Sequence, residues 1–449
     1  MSHCDDILAK SRALNLDECE VVSIQKKITT VRITDSEIAE IKQNQENSVA
    51  VRVIDKKRIM SGMSSGDEKN FLERILETRI FVKPKNFWKT LPFPSKFSQV
   101  GKTHDSRLEN MTGYVAADMA NEMINASTHK DIIRISGSLN IVSEKFHVMN
   151  TNGIDCSDDA TYISATINTD SQTGDQSVSG IGASCARTLD NFSAHGVGSD
   201  SREMCIGSIN PKKIEPASYD IIFEPYAFGE LLAFVFSANF GLKTYSEKRS
   251  CFSDKLGNKV SSENFTLSDD PHSPDGIGSK SFDDEGTPTV PQFFIKSGVL
   301  SGLYSDSFEA FKNGKITSGN AARSGSPMGR QAIPLPVPRT HNIKVMDGDF
   351  SKDEIVKSTK KGILVGRLWY TYPVNPEQGD FSCTARSGIK IIENGVASPA
   401  RSVRIVHNIK TLLQNISAVG NDSKNILQWG SIPAITPTVR ADSIQVSPL

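Results

Sequence analysis

Residues 225–240 constrain this chain more than any other stretch. They carry Ala227, Phe228, Leu231, Leu232, Ala233, Phe234, Val235, Phe236 and Ala238, with Glu230, Ser237 and Asn239 as the few polar side chains. Pro225 suits the first turn of a helix, where no backbone donor is needed. Gly241 suits its end. A helix apolar nearly all round has no face to give to water and must be enclosed. The second half of the chain therefore has to build a core around it, unless the helix is a hydrophobic interface element.

The composition allows such a core. Of 449 residues, 37% are hydrophobic and 23% charged, as in globular proteins, and the length suits two or three domains. Lys+Arg is 51 and Asp+Glu is 52, a net charge of -1. That balance argues against a whole-chain grip on nucleic acid, which rests on many cationic contacts to phosphates. The seven cysteines (Cys4, Cys19, Cys156, Cys185, Cys205, Cys251 and Cys383) are odd in number, widely spread and free of any CxxC pair. A disulfide framework is not expected, and a reducing compartment is. The N-terminus has acids where a signal peptide needs cations. No run approaches the roughly 18 apolar residues of a membrane span. The expectation is a cytoplasmic chain with neither a membrane nor a nucleic-acid partner.

Patterning divides the chain. Helices are expected at 5–15, 67–80 and 112–127. Strands are expected within 19–34 and 48–64 and from 130 to about 187, with Asn152-Gly153 as a tight turn. A Pro- and Phe-containing loop covers 82–100. Residues 195–217, rich in Gly, Ser, Asp and Pro, read as a break between an N-terminal α+β domain, 1–200, and a strand-rich C-terminal domain, 218–449. In the second part strands are expected at 219–223, 290–305, 363–372, 387–393 and 396–406, with Asn394-Gly395 joining the last two. Ser351-Lys-Asp-Glu354 is a capping box that should open a helix ending at Gly362. A last helix fits 408–417, and 333–338 is a Pro-rich loop.

The readable chemical motifs are missing. No two of the eight histidines stand four or five residues apart, so no single helix can present two of them to one metal. There is no Walker loop, no GxSxG elbow and no dinucleotide glycine cluster after a strand. Candidate residues remain. Ser281-Phe-Asp-Asp-Glu-Gly286 sets Asp283, Asp284 and Glu285 together. Adjacent carboxylates can bind a cation or share a proton, and the plainer reading is a solvated turn. Gly379, Asp380, Phe381 and Ser382 form either a polar hook in a cleft or a turn between strands. Asn320 sits in a small-residue loop that can let a ligand or another backbone come close. Cys251 follows Lys248-Arg249, which can lower a thiol pKa, but it reads as a small buried hydrophobe.

In sequence order, Ser250-Cys-Phe-Ser-Asp-Lys-Leu-Gly257, Phe282-Asp-Asp-Glu-Gly286, Gly298-Val-Leu300, Ser318-Gly-Asn-Ala321, Gly379-Asp-Phe-Ser382, Ile392-Glu-Asn-Gly395 and Ala418-Val-Gly-Asn-Asp422 resemble segments of the TldD/PmbA family, once described as modulators of DNA gyrase. The resemblance is specific over 218–449 and loose over 1–200. It implies a two-domain α+β protomer, a dimer enclosing a cavity, and zinc-dependent cutting of small unfolded peptides. The TldD type carries a His-Glu-x-x-x-His helix in which both His bind zinc and the Glu can act as general base. Residues 225–240 are similar to that element, but an ungapped placement sets Ala233, Phe234 and Ala238 at the three positions. Ala offers no lone pair and Phe shuttles no proton. The chain resembles instead the PmbA type, also called TldE. The resemblance then implies no catalytic or metal residue here. It implies zinc in a TldD-like partner, paired as a heterodimer, unless this chain forms a homodimer. Asp283, Asp284, Glu285, Asn320 and Gly379 to Ser382 are its peptide-binding or cavity candidates. The alternatives are an independent peptidase with a dispersed metal site, or a homodimeric binding protein that modulates a DNA topoisomerase.

Overall fold

Six strands form the first sheet. They are β1 (Glu18–Thr34), β2 (Glu37–Asp55), β3 (Arg58–Ser64), β4 (Arg134–Asn150), β5 (Asp155–Thr173) and β6 (Gln176–Ala186). Their order is β3-β2-β1-β4-β5-β6, each pair antiparallel. The computed structural model describes residues 3–66, 70–173, 176–428 and 432–449. Residues 67–69 of the expected second helix lie outside the described residues. Its remainder is the helix Phe71–Glu77, which buries Phe71, Leu72 and Ile75. Gly153, at φ +100°, makes the expected turn between β4 and β5.

Two expectations are corrected in this half. Residues 37–47 were given no strand because they are almost wholly polar, yet they pair with β1 along their length. Their side chains are mostly exposed, so no buried face leaves a period-2 mark in the sequence. The segment 195–217, read as a break, contains the helix Ala194–Ile206, opened by Ser193, whose side chain accepts from Gly196 N–H. A Cβ on Gly198 would lie 2.3 Å from Met123 O. The glycine lets this helix sit against the helix Gly113–Ser127 rather than breaking it. The two helices share a core with Val31, Leu139 and Ile163 of the sheet.

The second half is strand-rich. Its nine-stranded sheet has Ala217–Phe223 inside it, paired in parallel with Lys361–Val365 and antiparallel with Val439–Pro448. Arg367–Asn375 lies at one end of the sheet and, among the described residues, pairs on one side only, with Asp380–Ser387. Asn394 and Gly395, both at positive φ, close the expected hairpin. The sequence expectation of a turn or hook at Gly379 to Ser382 missed the strand that starts there. A smaller six-stranded sheet includes Leu267–Asp269, Gln292–Lys296 and Ile343–Val345.

The apolar segment lies where its composition requires. Phe228, Leu231, Leu232, Phe236 and Phe240 are all fully buried in the largest core cluster. It is not one uniform helix, however. Pro225–Leu231 is α-helical, Leu232–Phe236 widens into a π-type turn, and Ser237–Phe240 tightens into 3-10. Ser237 Oγ donates to Ala233 O at 2.9 Å and Asn239 Nδ2 to Val235 O at 3.0 Å. Such back-bonding competes with the regular backbone ladder.

The capping box is formed in full at the helix Lys352–Ser358, and the last helix is Ile409–Gln414. Ser351→Ala should lower stability by about 1 kcal/mol, the ordinary worth of such a cap, read as a shift of the urea midpoint with unchanged slope. No loss would mean that Glu354 alone holds the helix start. Among the described residues, no helix is long and apolar enough to cross a membrane.

Candidate functional site

The acidic segment is not the solvated turn that the sequence suggested. Asp283, Asp284 and Glu285 are all fully buried. Asp283 accepts from the backbone N–H groups of Glu285 (3.0 Å), Thr287 (2.9 Å) and Ala321 (3.0 Å). Asp284 Oδ1 accepts from Lys280 Nζ at 2.8 Å and Arg330 Nε at 3.0 Å, and its Oδ2 from Arg323 N–H at 2.6 Å. Arg52 Nη1 donates to Glu285 Oε1 at 2.8 Å and Arg52 Nη2 to Glu20 Oε2 at 2.6 Å. Arg323 pairs with Glu20, and Arg330 reaches Glu144 (3.2 Å) and Asp158 (2.6 Å). The acids thus join the loops of the second half to β1, β2, β4 and β5 of the first sheet.

Their titration follows from that setting. Burial opposes ionisation of Asp284, but the charges of Lys280 and Arg330 hold its carboxyl well below the ordinary range. Burial likewise opposes Glu285, and Arg52 with the Ser307 amide holds it down. Asp283 moves the other way, because burial and the charge of Glu285 push it up. Asp306 is pushed up to about 7 for the same two reasons. These groups are satisfied by each other, and Asp284 alone among the three lines a small cavity of about 70 Å³ between the halves.

Asn320 is also enclosed. Its Nδ2 donates to Asp269 Oδ2 at 2.6 Å and Arg339 O at 3.1 Å, and its Oδ1 accepts from Gln292 Nε2 and Ser318 Oγ, both at 2.7 Å. Gly379 has φ +88° and packs on Cys251. Asp380 Oδ1 accepts from Asn408 Nδ2 at 2.8 Å, Phe381 is core, and Ser382 is buried, its Oγ without a partner among the described residues. Cys251 is buried, which pushes its thiol up to about 12. An inert buried thiol is the structural role the sequence suggested. The acids therefore adjoin the Asn320 loop, since Asp283 accepts from Ala321 N–H, whereas Asp380 to Ser382 lie apart in the nine-stranded sheet.

A cleft that the sequence reading did not single out lies beside the apolar helix. It measures about 590 Å³ and is walled by Phe234 and by Trp369, Tyr370 and Tyr372 of the edge strand. Glu230 is its one acid and Arg367 its one basic side chain among the described residues. Glu230 is 3% exposed and its Oε2 accepts from Leu368 N–H at 2.7 Å. Burial pushes its carboxyl up to about 8, against the charge of Arg367 and that hydrogen bond. Tyr370 adopts φ +50° at a break in strand register, where Trp369 faces Thr384 and Tyr372 faces Ser382. A bulky residue in that region is a true outlier, and such bulges re-aim side chains at sheet edges. The signals were present in the sequence as a lone Glu in an apolar helix and an aromatic run in a strand.

Ala233 and Ala238, set by the resemblance at the two zinc-binding His positions, are respectively buried and exposed, and Phe234, at the general-base position, forms the cleft wall. Two methyl groups and a phenyl ring offer no lone pair to a zinc ion at these three positions. Among the described residues, no group of three or more His, Cys, Asp or Glu side chains is placed to hold a metal ion.

Comparison with known proteins agrees with this architecture. TldE from Thermococcus kodakarensis superposes with a TM-score of 0.90 over 99% of this chain and 100% of its own, at 21% identity, which shows a shared fold. A metalloprotease from Methanothermobacter thermautotrophicus is 34% identical over 168 residues, 37% of this chain and 35% of the relative. The metalloprotease PmbA of Escherichia coli O157:H7 is 26% identical over 238 residues, 53% and 49% of the two chains. These matches span about a third to a half of those two relatives' own length. The family model for the PmbA/TldA metallopeptidase C-terminal domain covers residues 216–448. That match takes in more than half of the chain, including the apolar helix, the edge strand and the acidic segment, and with it the chain belongs to the PmbA/TldD metallopeptidase family.

Proposed function

We propose that this chain is the metal-free subunit of a TldD/TldE-type zinc metalloprotease that acts on small unfolded peptides. The observation that carries this reading is the helix across residues 225–240, where Ala233, Phe234 and Ala238 provide no metal ligand and no general base. Its role is then to shape the chamber, hold extended peptide and support a zinc-bearing TldD-like partner. The unpaired side of Arg367–Asn375 suits the second task, because an edge strand offers main-chain groups to an added strand. In this reading Asp283, Asp284, Glu285 and Asn320 fix the walls and do not touch the reacting bond. The reading also expects a cytoplasmic complex, consistent with seven free cysteines.

The test is elemental analysis of the purified chain together with peptide cleavage, alone and after mixing with a TldD-type subunit, with and without a chelator. The expected result is no stoichiometric zinc and no cleavage by the chain alone, with chelator-sensitive cleavage once the zinc subunit is added. One zinc per chain with chelator-sensitive cleavage by the chain alone would overturn the proposal in favour of a dispersed site.

A further inference from the structure

The aromatic cleft holds more chemistry than a chamber wall requires. It lies against an edge strand, so a peptide added to that strand would send alternate side chains toward its face. Its walls are the rings of Phe234, Trp369, Tyr370 and Tyr372. Two guanidiniums lie over the Trp369 ring, Arg367 at 4.4 Å and Arg386 at 5.2 Å. Tyr370 and Tyr372 are 67% and 45% exposed, and Tyr372 has a partner in Arg404, whose Nη2 donates to its hydroxyl at 3.0 Å; exposed aromatics side by side mark interaction sites. On the same strand Trp369 Nε1 and Thr371 Oγ1 are buried without a hydrogen-bond partner among the described residues. Unsatisfied polar atoms of that kind call for an explanation. The local backbone is also held out of its ordinary range at Tyr370, a form of strain that clusters at ligand clamps.

We propose that this cleft is a side-chain pocket for an extended peptide lying along Arg367–Asn375, and that it selects a neutral aromatic residue over a basic one. The inference rests on the peptide-handling reading above and adds the class of side chain. The charge pattern gives the direction. Arg367 in the cleft wall, with Arg386 over the Trp369 ring beside it, repels Lys or Arg, whereas guanidiniums attract the face of an aromatic ring. Ring–ring contacts with Phe234 and Tyr370 favour an aromatic guest over an aliphatic one of equal area. Glu230 sits at the base of the cleft as the residue that would otherwise welcome a cation. The titratable groups facing it are Arg367 of the edge strand, Tyr226 of its own helix and Cys383 of the neighbouring strand. Its carboxyl is pushed up to about 8 by burial, so near neutrality it is a hydrogen-bond donor rather than a charge.

The experiment is fluorescence anisotropy with the full chain and a labelled alanine–threonine heptapeptide whose central residue is Phe, Tyr, Leu, Lys, Glu or Ala. The Phe and Tyr peptides should bind about tenfold more tightly than the Ala and Lys peptides, the ratio that aromatic contacts of this size give. Tyr370→Ala, at an exposed position that the core does not need, should reduce that preference to within about threefold. Raising the pH through 8 should weaken the Phe peptide on the wild-type chain and leave it unchanged on Glu230→Gln. Equal binding of all six peptides, or a preference for Lys, would overturn the pocket while leaving peptide binding intact. Absence of binding by every peptide would overturn the peptide-handling reading itself, and the pocket with it.

Discussion

Arg52→Ala should cost the folded chain about 3–5 kcal/mol, the usual loss when one partner of a buried ion pair is removed. Arg52 is 2% exposed and is the cation between Glu20 and Glu285, which are also buried. Its alanine variant would leave Glu285 with the Ser307 amide, at 3.1 Å, and no counter-charge. Glu20 would keep only Arg323. The fold is worth about 5–15 kcal/mol in a typical protein, so the loss should be plain in urea unfolding. The double variant Arg52→Met and Glu285→Gln should recover most of it, because Glu20 keeps Arg323 as its counter-charge. Removing the charge of Glu285 together with that of Arg52 avoids the penalty of an orphaned ion. An Arg52→Ala chain within 1 kcal/mol of wild type would show that water reaches these carboxylates and that the two halves are not joined through them. Glu285→Ala should act in the same direction, through folding or pairing. A Glu285→Ala complex that assembles normally but loses turnover would assign this residue to the reaction instead.

That network also marks the limit of what the sequence can disclose. The partners Arg52 and Glu285 lie 233 residues apart, and Arg323 and Glu20 lie 303 apart. A run of three acids looks the same whether its counter-charges arrive from water or from another sheet, so the solvated-turn reading was the natural one and was wrong. The apolar stretch at 225–240 was legible because its pattern has only one physical outcome, enclosure. What periodicity could not give was the π-type turn at Leu232–Phe236, which arises from local back-bonding and packing. The capping box at Ser351 and the Asn394-Gly395 turn were legible because their hydrogen bonds are local. Gly196 and Gly198 misled for the opposite reason. They are poor helix formers, and at Gly198 the helix's need for close approach to Met123 outweighs propensity. The candidate site was half legible. The empty positions at Ala233, Phe234 and Ala238 stand in the sequence, but the cleft depends on Glu230 and Trp369 meeting across 139 residues of chain, and only the fold brings them together.

Glu230→Gln should make the chain more stable at pH 8, by on the order of 3 kcal/mol, with the gain vanishing near pH 4. The sign follows from the two states. In the folded chain the carboxyl is pushed up to about 8, first by burial, with Arg367 and the Leu368 amide opposing. In the unfolded chain a Glu titrates near 4.3. Its favourable contribution is therefore full below about pH 4 and is lost as pH rises to about 8, because the unfolded chain has released a proton that the folded chain still holds. Each unit of that gap is worth about 1.36 kcal/mol, and the full gap is discounted here for relaxation around a group that lines a cleft. Gln keeps an acceptor for the Leu368 N–H and carries no charge, so it escapes the penalty. Arg367 forms no ion pair with Glu230 among the described residues and acts on it only through its charge, while its Nη1 donates to Asn168 Oδ1 at 2.6 Å. Unfolding by urea at pH 5 and pH 8, for wild type and variant, reads the effect. If the variant is instead less stable at pH 8, Glu230 is an ionised partner of Arg367, and the cleft floor is anionic at neutral pH. A gain would mean that the chain gives up stability to keep an acid at this cleft, which points to a use outside the fold, as at other sites where function and stability conflict.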